Sequence, residues 1–123
     1  MLKPYFFAFL LLTLSMSFFN SRCSEKPGEG ELAKKGYENA KPIIESLEKY
    51  RQEKGDYPRN LAELTPQYLE KIPLDESNQN YKYQYKADTK SYVLTFNYDA
   101  PGLGICECNY YPEKKQWFCN CMV

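Results

Sequence analysis

Four cysteines near the C-terminal end form a mirror-image pattern: Cys106-Glu107-Cys108, then Pro112-Glu113-Lys114-Lys115, then Cys119-Asn120-Cys121. In an extended chain, residues i and i+2 point to the same side. If the chain reverses at Glu113 and Lys114, Cys106 faces Cys121 and Cys108 faces Cys119. All four side chains then share one face of a hairpin. Opposed β-carbons in such pairs lie about 4.5–5.5 Å apart, close enough for small adjustments to close a disulfide. The favoured pairing is therefore Cys106–Cys121 with Cys108–Cys119. The diagonal alternative, Cys106–Cys119 with Cys108–Cys121, needs a register shift. A zinc site is the other alternative, since four thiolates can hold the ion tetrahedrally. Each pair here encloses one residue, which is tight for chelation by a single loop. A redox pair on a helix start has no Cys-x-x-Cys motif to support it.

A hairpin of this kind commits the last third of the chain to antiparallel sheet. Upstream, Tyr81, Tyr83 and Tyr85 alternate with Lys82, Gln84 and Lys86, and Tyr92, Leu94, Phe96 and Tyr98 alternate with Val93, Thr95 and Asn97. Asp88-Thr89-Lys90 and Asp99-Ala100-Pro101-Gly102 supply the turns. The spacing therefore predicts a four-stranded meander. Before it, Leu32, Gly36/Tyr37, Ala40, Ile43/Ile44, Leu47 and Tyr50 recur at three- and four-residue intervals, one face of a helix. Gly55 follows as a helix end, and Pro42 predicts a kink or two helical pieces. The expected fold class is α+β: an N-terminal helix packed on a four-stranded antiparallel β-meander. Between helix and sheet, Leu61, Leu64, Tyr68 and Leu69 should pin a compact loop to the core.

The first residues read differently. Lys3 precedes an apolar run from Tyr5 to Leu14, followed by Ser15 and Ser17. A positive start, an apolar stretch and then small residues is the layout of a secretory signal. The run is shorter than the ~20 residues that span a bilayer. Residues 1–22 are thus expected to be a signal peptide or membrane-targeting segment. Residues 23–30 form a linker rich in Pro and Gly, and residues 31–123 form the folded domain. Cys23 opens the linker and is a lipidation candidate, as in bacterial lipoproteins. It would also account for the fifth, odd cysteine in an oxidising compartment. Asn20-Ser21-Arg22 before it departs from the small uncharged residues expected there. The expected location is exported: periplasmic or cell-surface, held to the membrane by the N-terminal segment or a lipid on Cys23.

The chain has no histidine, which removes His-based triads and imidazole ligands. Its formal net charge is zero, so there is no electrostatic case for nucleic acid. Glu107 and Glu113 fall in the hairpin, and Asp56, Asp75 and Asp99 fall in turns. Nothing pairs two carboxylates at a working separation, so no enzyme activity, cofactor or metal is expected. Tyrosine is abundant, with 12 residues. Tyr81, Tyr83 and Tyr85, or Tyr92 and Tyr98, are ligand-binding candidates as an aromatic platform for carbohydrate or peptide. The competing explanation is that Tyr is favoured on half-buried sheets.

The stretch Leu47-Glu48-Lys49-Tyr50-Arg51-Gln52-Glu53-Lys54-Gly55-Asp56-Tyr57-Pro58 leads into Asn60-Leu61-Ala62-Glu63-Leu64. Then comes Tyr68-Leu69-Glu70-Lys71-Ile72-Pro73-Leu74-Asp75 and a Tyr-x-Tyr strand. This order, carried by Ala33 to Leu94, resembles the soluble head of type IV pilin-like proteins, most of all the major pseudopilin of type II secretion. The resemblance implies a non-catalytic domain, related to secretion or pili, that contacts protein partners of the cell envelope. The peptidase-cleaved motif of that family is absent, and Pro27-Gly28-Glu29-Gly30 separates the apolar segment from the helix. Some family members bind calcium in a carboxylate-rich loop. The corresponding Asp99-Ala100-Pro101-Gly102 supplies one carboxylate, too few for such a site.

Overall fold

Residues 25–73 and 83–122 are described by the computed structural model. Cys23 and Tyr81 lie outside them. Helix α1 spans Glu31–Lys54 and is followed by a 3-10 turn at Leu61–Leu64. Four strands follow: β1 Gln84–Ala87, β2 Tyr92–Ala100, β3 Gly104–Tyr111 and β4 Gln116–Met122. They form one antiparallel sheet in the order β1-β2-β3-β4. Each strand neighbours its predecessor, as short hairpin connections require. The fold is α+β, with α1 on one face of a meander.

The helix buries Ala33, Gly36, Ala40, Ile43, Ser46 and Leu47. These positions keep the three- and four-residue rhythm of an amphipathic helix. Their sizes are graded. The first half presents Ala33, Gly36 and Ala40, and the second half presents Ile43 and Leu47. Gly36 meets the Phe96 ring directly, and Ala33 joins Phe96, Tyr98, Cys106 and Cys108 in one core cluster. Ile43 and Leu47 pack with Leu64, Tyr92 and Leu94 in the other. Small against large lets the helix approach a sheet carpeted with rings.

Pro42 does not divide α1 into two pieces. One 24-residue helix runs through it. Proline inside a helix forfeits a hydrogen bond and crowds the turn before it. Here Ala40 and Ile43 on either side are both fully buried, so packing holds the helix together across the proline. The helix stops where expected: Gly55 has φ 91°, and its N–H reaches Arg51 O at 2.8 Å. Ser46 Oγ then donates to Tyr68 O at 3.0 Å, fastening the loop after the 3-10 turn to the helix.

Candidate interaction surface

The inner face of the sheet carries the even-numbered residues of β2 and β3 and the odd-numbered residues of β4. Cys106 pairs with Cys121 and Cys108 with Cys119 across β3 and β4, and each pair is a disulfide. The sulfurs are spent on each other, so the zinc alternative falls away. Among the described residues, no group of three or more Cys, Asp or Glu is placed to hold a metal.

The tyrosine platform is corrected by the same face. Tyr92 and Tyr98 are 2 % and 1 % exposed, because both lie under the helix. Tyr83 and Tyr85 are half-buried, and their hydroxyls donate to Gly36 O at 2.6 Å and Pro58 O at 2.8 Å. Tyr92 and Tyr98 therefore present no face to a ligand, and Tyr83 and Tyr85 spend their hydroxyls inside the domain. They act as latches: each apolar ring packs on the sheet while its hydroxyl satisfies a backbone or carboxylate group of the layer above. Tyr57 repeats the device, donating to Glu48 Oε1 at 2.8 Å and accepting from Arg51 Nη1 at 3.0 Å. Tyr92 differs. Its hydroxyl is buried with no hydrogen-bond partner among the described residues. Burial, reinforced by Tyr110 and Glu48, pushes its ionisation well above the ordinary tyrosine range.

Residues 25–30 also meet the inner face. The Gly28 N–H donates to Tyr98 Oη at 2.8 Å, and Tyr37 Oη donates to Gly28 O at 2.9 Å. Tyr37 Oη also lies 3.0 Å from Cys119 Sγ. Gly28 has φ 80°, and a Cβ there would stand 2.8 Å from both Cys119 Sγ and Tyr37 Oη. Only glycine suits that conformation at that distance. The end of the predicted linker is therefore docked onto the disulfides.

The outer face is the uncovered one among the described residues. Its centre is polar. Thr95 Oγ1 donates to Asn109 Oδ1 at 2.6 Å, and Asn109 Nδ2 donates to Glu107 Oε1 at 3.0 Å. Toward β4 it turns apolar. Ile105, Phe118 and Met122 are 51 %, 45 % and 69 % exposed, the large hydrophobic side chains most open to solvent. Ile105 sits directly opposite Met122 in the register. Phe118 meets Tyr111 edge-to-face at 5.7 Å, and Lys114 Nζ lies 5.0 Å above the Phe118 ring. Exposed apolar groups thus stand at both ends of the β3–β4 strip, Ile105 with Met122 at one and Phe118 with Tyr111 under the Lys114 cation at the other, with Glu107 and Asn120 between them.

Ile105, Phe118 and Met122 were not singled out in the sequence, although a signal for them exists. They have the parity opposite to the cysteines on the same strands. Once the cysteines are assigned to the buried face, any large apolar residue out of phase with them must face outward. No helix among the described residues is long and apolar enough to cross a membrane. The chain matches no protein-family model, no curated protein and no solved structure.

Proposed function

We propose that this chain is an exported, envelope-associated domain of the pilin-like kind that works through protein contacts and performs no catalysis. The observation that carries the reading is the sheet face that no other element covers among the described residues, with Ile105, Phe118 and Met122 exposed on it. Large apolar side chains at both ends of one exposed sheet face, with polar groups between them, offer anchor points to a partner that spans the face. Two further features support it. The order of one helix and a four-stranded antiparallel meander agrees with a pilin-like head. Paired cystines agree with an oxidising compartment outside the cytoplasm, as does the Lys3-led apolar segment.

The test is site-specific photocrosslinking in the producing cell. A photoreactive residue replaces Ile105 or Tyr111 on the outer face, with Glu45 on the exposed side of α1 as control. The expected result is a discrete adduct with an envelope protein from positions 105 and 111, and none from 45. Equal labelling at all three positions, or adducts with cytoplasmic proteins only, would sink the proposal. An intact mass of the mature chain, with and without reduction, reports separately on leader removal and on a lipid at Cys23.

A further inference from the structure

Strand β4 is an edge of the sheet among the described residues, and the disulfides reveal which of its backbone groups point outward. Opposed residues in an antiparallel pair alternate between a wide, hydrogen-bonded spacing of about 5.5 Å and a narrow, unbonded one of about 4.5 Å. Cys106–Cys121 and Cys108–Cys119 have Cα separations of 3.9 and 4.1 Å, which are of the narrow kind. The N–H and C=O groups of Cys119 and Cys121, and of Trp117 by the same parity, therefore turn away from β3. Among the described residues, no hydrogen bond reaches those backbone groups. Phe118, Asn120 and Met122 spend theirs on β3.

Natural sheets guard such edges with charge, proline, bulges or short strands. The opposite edge follows that rule: β1 is four residues long and carries Lys86. β4 does not. Its seven residues, Gln116-Trp117-Phe118-Cys119-Asn120-Cys121-Met122, contain no charged residue and no proline. They pair with β3 over their whole length without a bulge. A strand with these properties meets no like charge when it faces itself.

We propose that β4 is a self-association edge. Two copies of the chain pair antiparallel about a two-fold axis at Cys119, joining two four-stranded sheets into one continuous sheet. This register sets Cys119 opposite the second copy's Cys119 and Trp117 opposite its Cys121. All three outward residues then bond reciprocally, giving about six backbone hydrogen bonds. On the outer face, Phe118 stands opposite the second copy's Asn120 and diagonal to its Phe118 and Met122, within reach of long and aromatic side chains. The pairing thus covers part of the exposed apolar surface of both copies. The contact is isologous and closed, so it stops at the dimer. It goes beyond the protein-contact reading above and holds whether or not an envelope partner exists.

The test uses the protein that accumulates from expression of the full 123-residue sequence, with disulfides intact. Sedimentation equilibrium over about 1–500 µM should show a monomer–dimer equilibrium, as befits a contact at the small end of specific interfaces. Amide exchange should slow at Trp117, Cys119 and Cys121 as concentration rises, and stay unchanged at Phe118 and Asn120. A charge swap then tests the register on two exposed side chains. Phe118→Lys with Asn120→Lys sets like charges opposite each other across the axis and should weaken dimerisation by about tenfold or more. Phe118→Glu with Asn120→Lys sets opposite charges there and should restore it to within about threefold of the parent. A parent that stays monomeric, or a restoring variant as weak as the repelling one, overturns the proposal. So does exchange that slows only when another protein is added, which would make β4 a docking edge for a foreign strand. Dimerisation without crosslinks from positions 105 and 111 would instead remove the envelope-partner reading and leave this one intact.

Discussion

Gly36 lies inside a helix, where glycine costs about 1 kcal/mol relative to alanine. By propensity alone, Gly36→Ala should stabilise the protein. The packing reverses the sign. A Cβ at Gly36 would fall on the Cε2 and Cζ atoms of Phe96, closer than any real Cβ contact. That ring has nowhere to go. Phe96 is fully buried, with Tyr37 at 5.6 Å, Tyr83 at 5.9 Å, Tyr98 at 6.2 Å and Trp117 at 5.1 Å between ring centroids. The Gly36 carbonyl is also held by the Tyr83 hydroxyl, so the helix cannot lift without breaking that bond. Overpacking a tight core costs about 1–3 kcal/mol, and a contact this close belongs at the upper end. Subtracting the propensity gain leaves a net loss of about 2 kcal/mol. For a domain of this size, that lowers Tm by roughly 8–16 °C. Thermal unfolding followed by circular dichroism reads it directly. A double-mutant cycle sharpens it: Phe96→Leu alone should destabilise, and should cost clearly less in the Gly36→Ala background. A Tm for Gly36→Ala above that of the parent would refute the packing argument, because the ring would then be free to yield.

Other consequences follow from the same structure. Removing both disulfides, by Cys106→Ala, Cys108→Ala, Cys119→Ala and Cys121→Ala together, should cost about 3 kcal/mol or more from loop entropy, whereas removing either alone should cost clearly less, because the loops of 15 and 11 residues are nested and the bridge that remains still holds the strands together. Denaturant unfolding checks this, and a quadruple variant with a midpoint equal to the parent would contradict it. Burial raises the pKa of Tyr92 and of Tyr85, and the hydrogen bond to Glu53 pushes that of Tyr68 up to about 12. Folded values above the unfolded value of 10.0 mean that this stability is complete below pH 10 and is lost as pH rises beyond it. Alkaline titration at 295 nm should therefore show a late, cooperative tyrosinate step that coincides with loss of the far-UV signal. At the other end of the pH scale, Asp88 Oδ1 accepts the N–H groups of Lys90 and Ser91 at 2.8 Å each, and these bonds hold its pKa below the ordinary 3.8. Its contribution is present above that value and fades as pH falls through the lowered one. Asp88→Asn should accordingly destabilise the protein at neutral pH, with the gap from the parent closing at acid pH in parallel melts.

Much of this molecule is legible in one dimension. The two-residue alternation of the cysteine pairs about Glu113-Lys114 locates the last hairpin, and the observed register sets Cys106 opposite Cys121 and Cys108 opposite Cys119. The helix rhythm from Leu32 to Tyr50 predicts α1, and Gly55 marks its end. These features are local: each depends on the period of side chains along a single element and on one reversal. The docking of Gly28 against Tyr37 and Tyr98 was not legible, because Pro and Gly in a polar stretch read alike whether the segment hangs free or meets a disulfide.

What the chain determines by itself is therefore the kind and order of its elements, together with the pairing frame imposed by its cysteines. Only the tertiary structure decided what those elements do to one another. It carried α1 through Pro42, because buried neighbours on both sides outweigh one lost hydrogen bond. It turned Tyr83, Tyr85, Tyr92 and Tyr98 from a proposed binding platform into core and latches, because the helix covers the face on which they stand. By covering that face, it also left Ile105, Phe118 and Met122 on the open one. Alternation divides a strand into two sides, but which side is buried depends on where a distant helix comes to rest. That choice is made by packing volume and hydrogen-bond satisfaction across the whole domain.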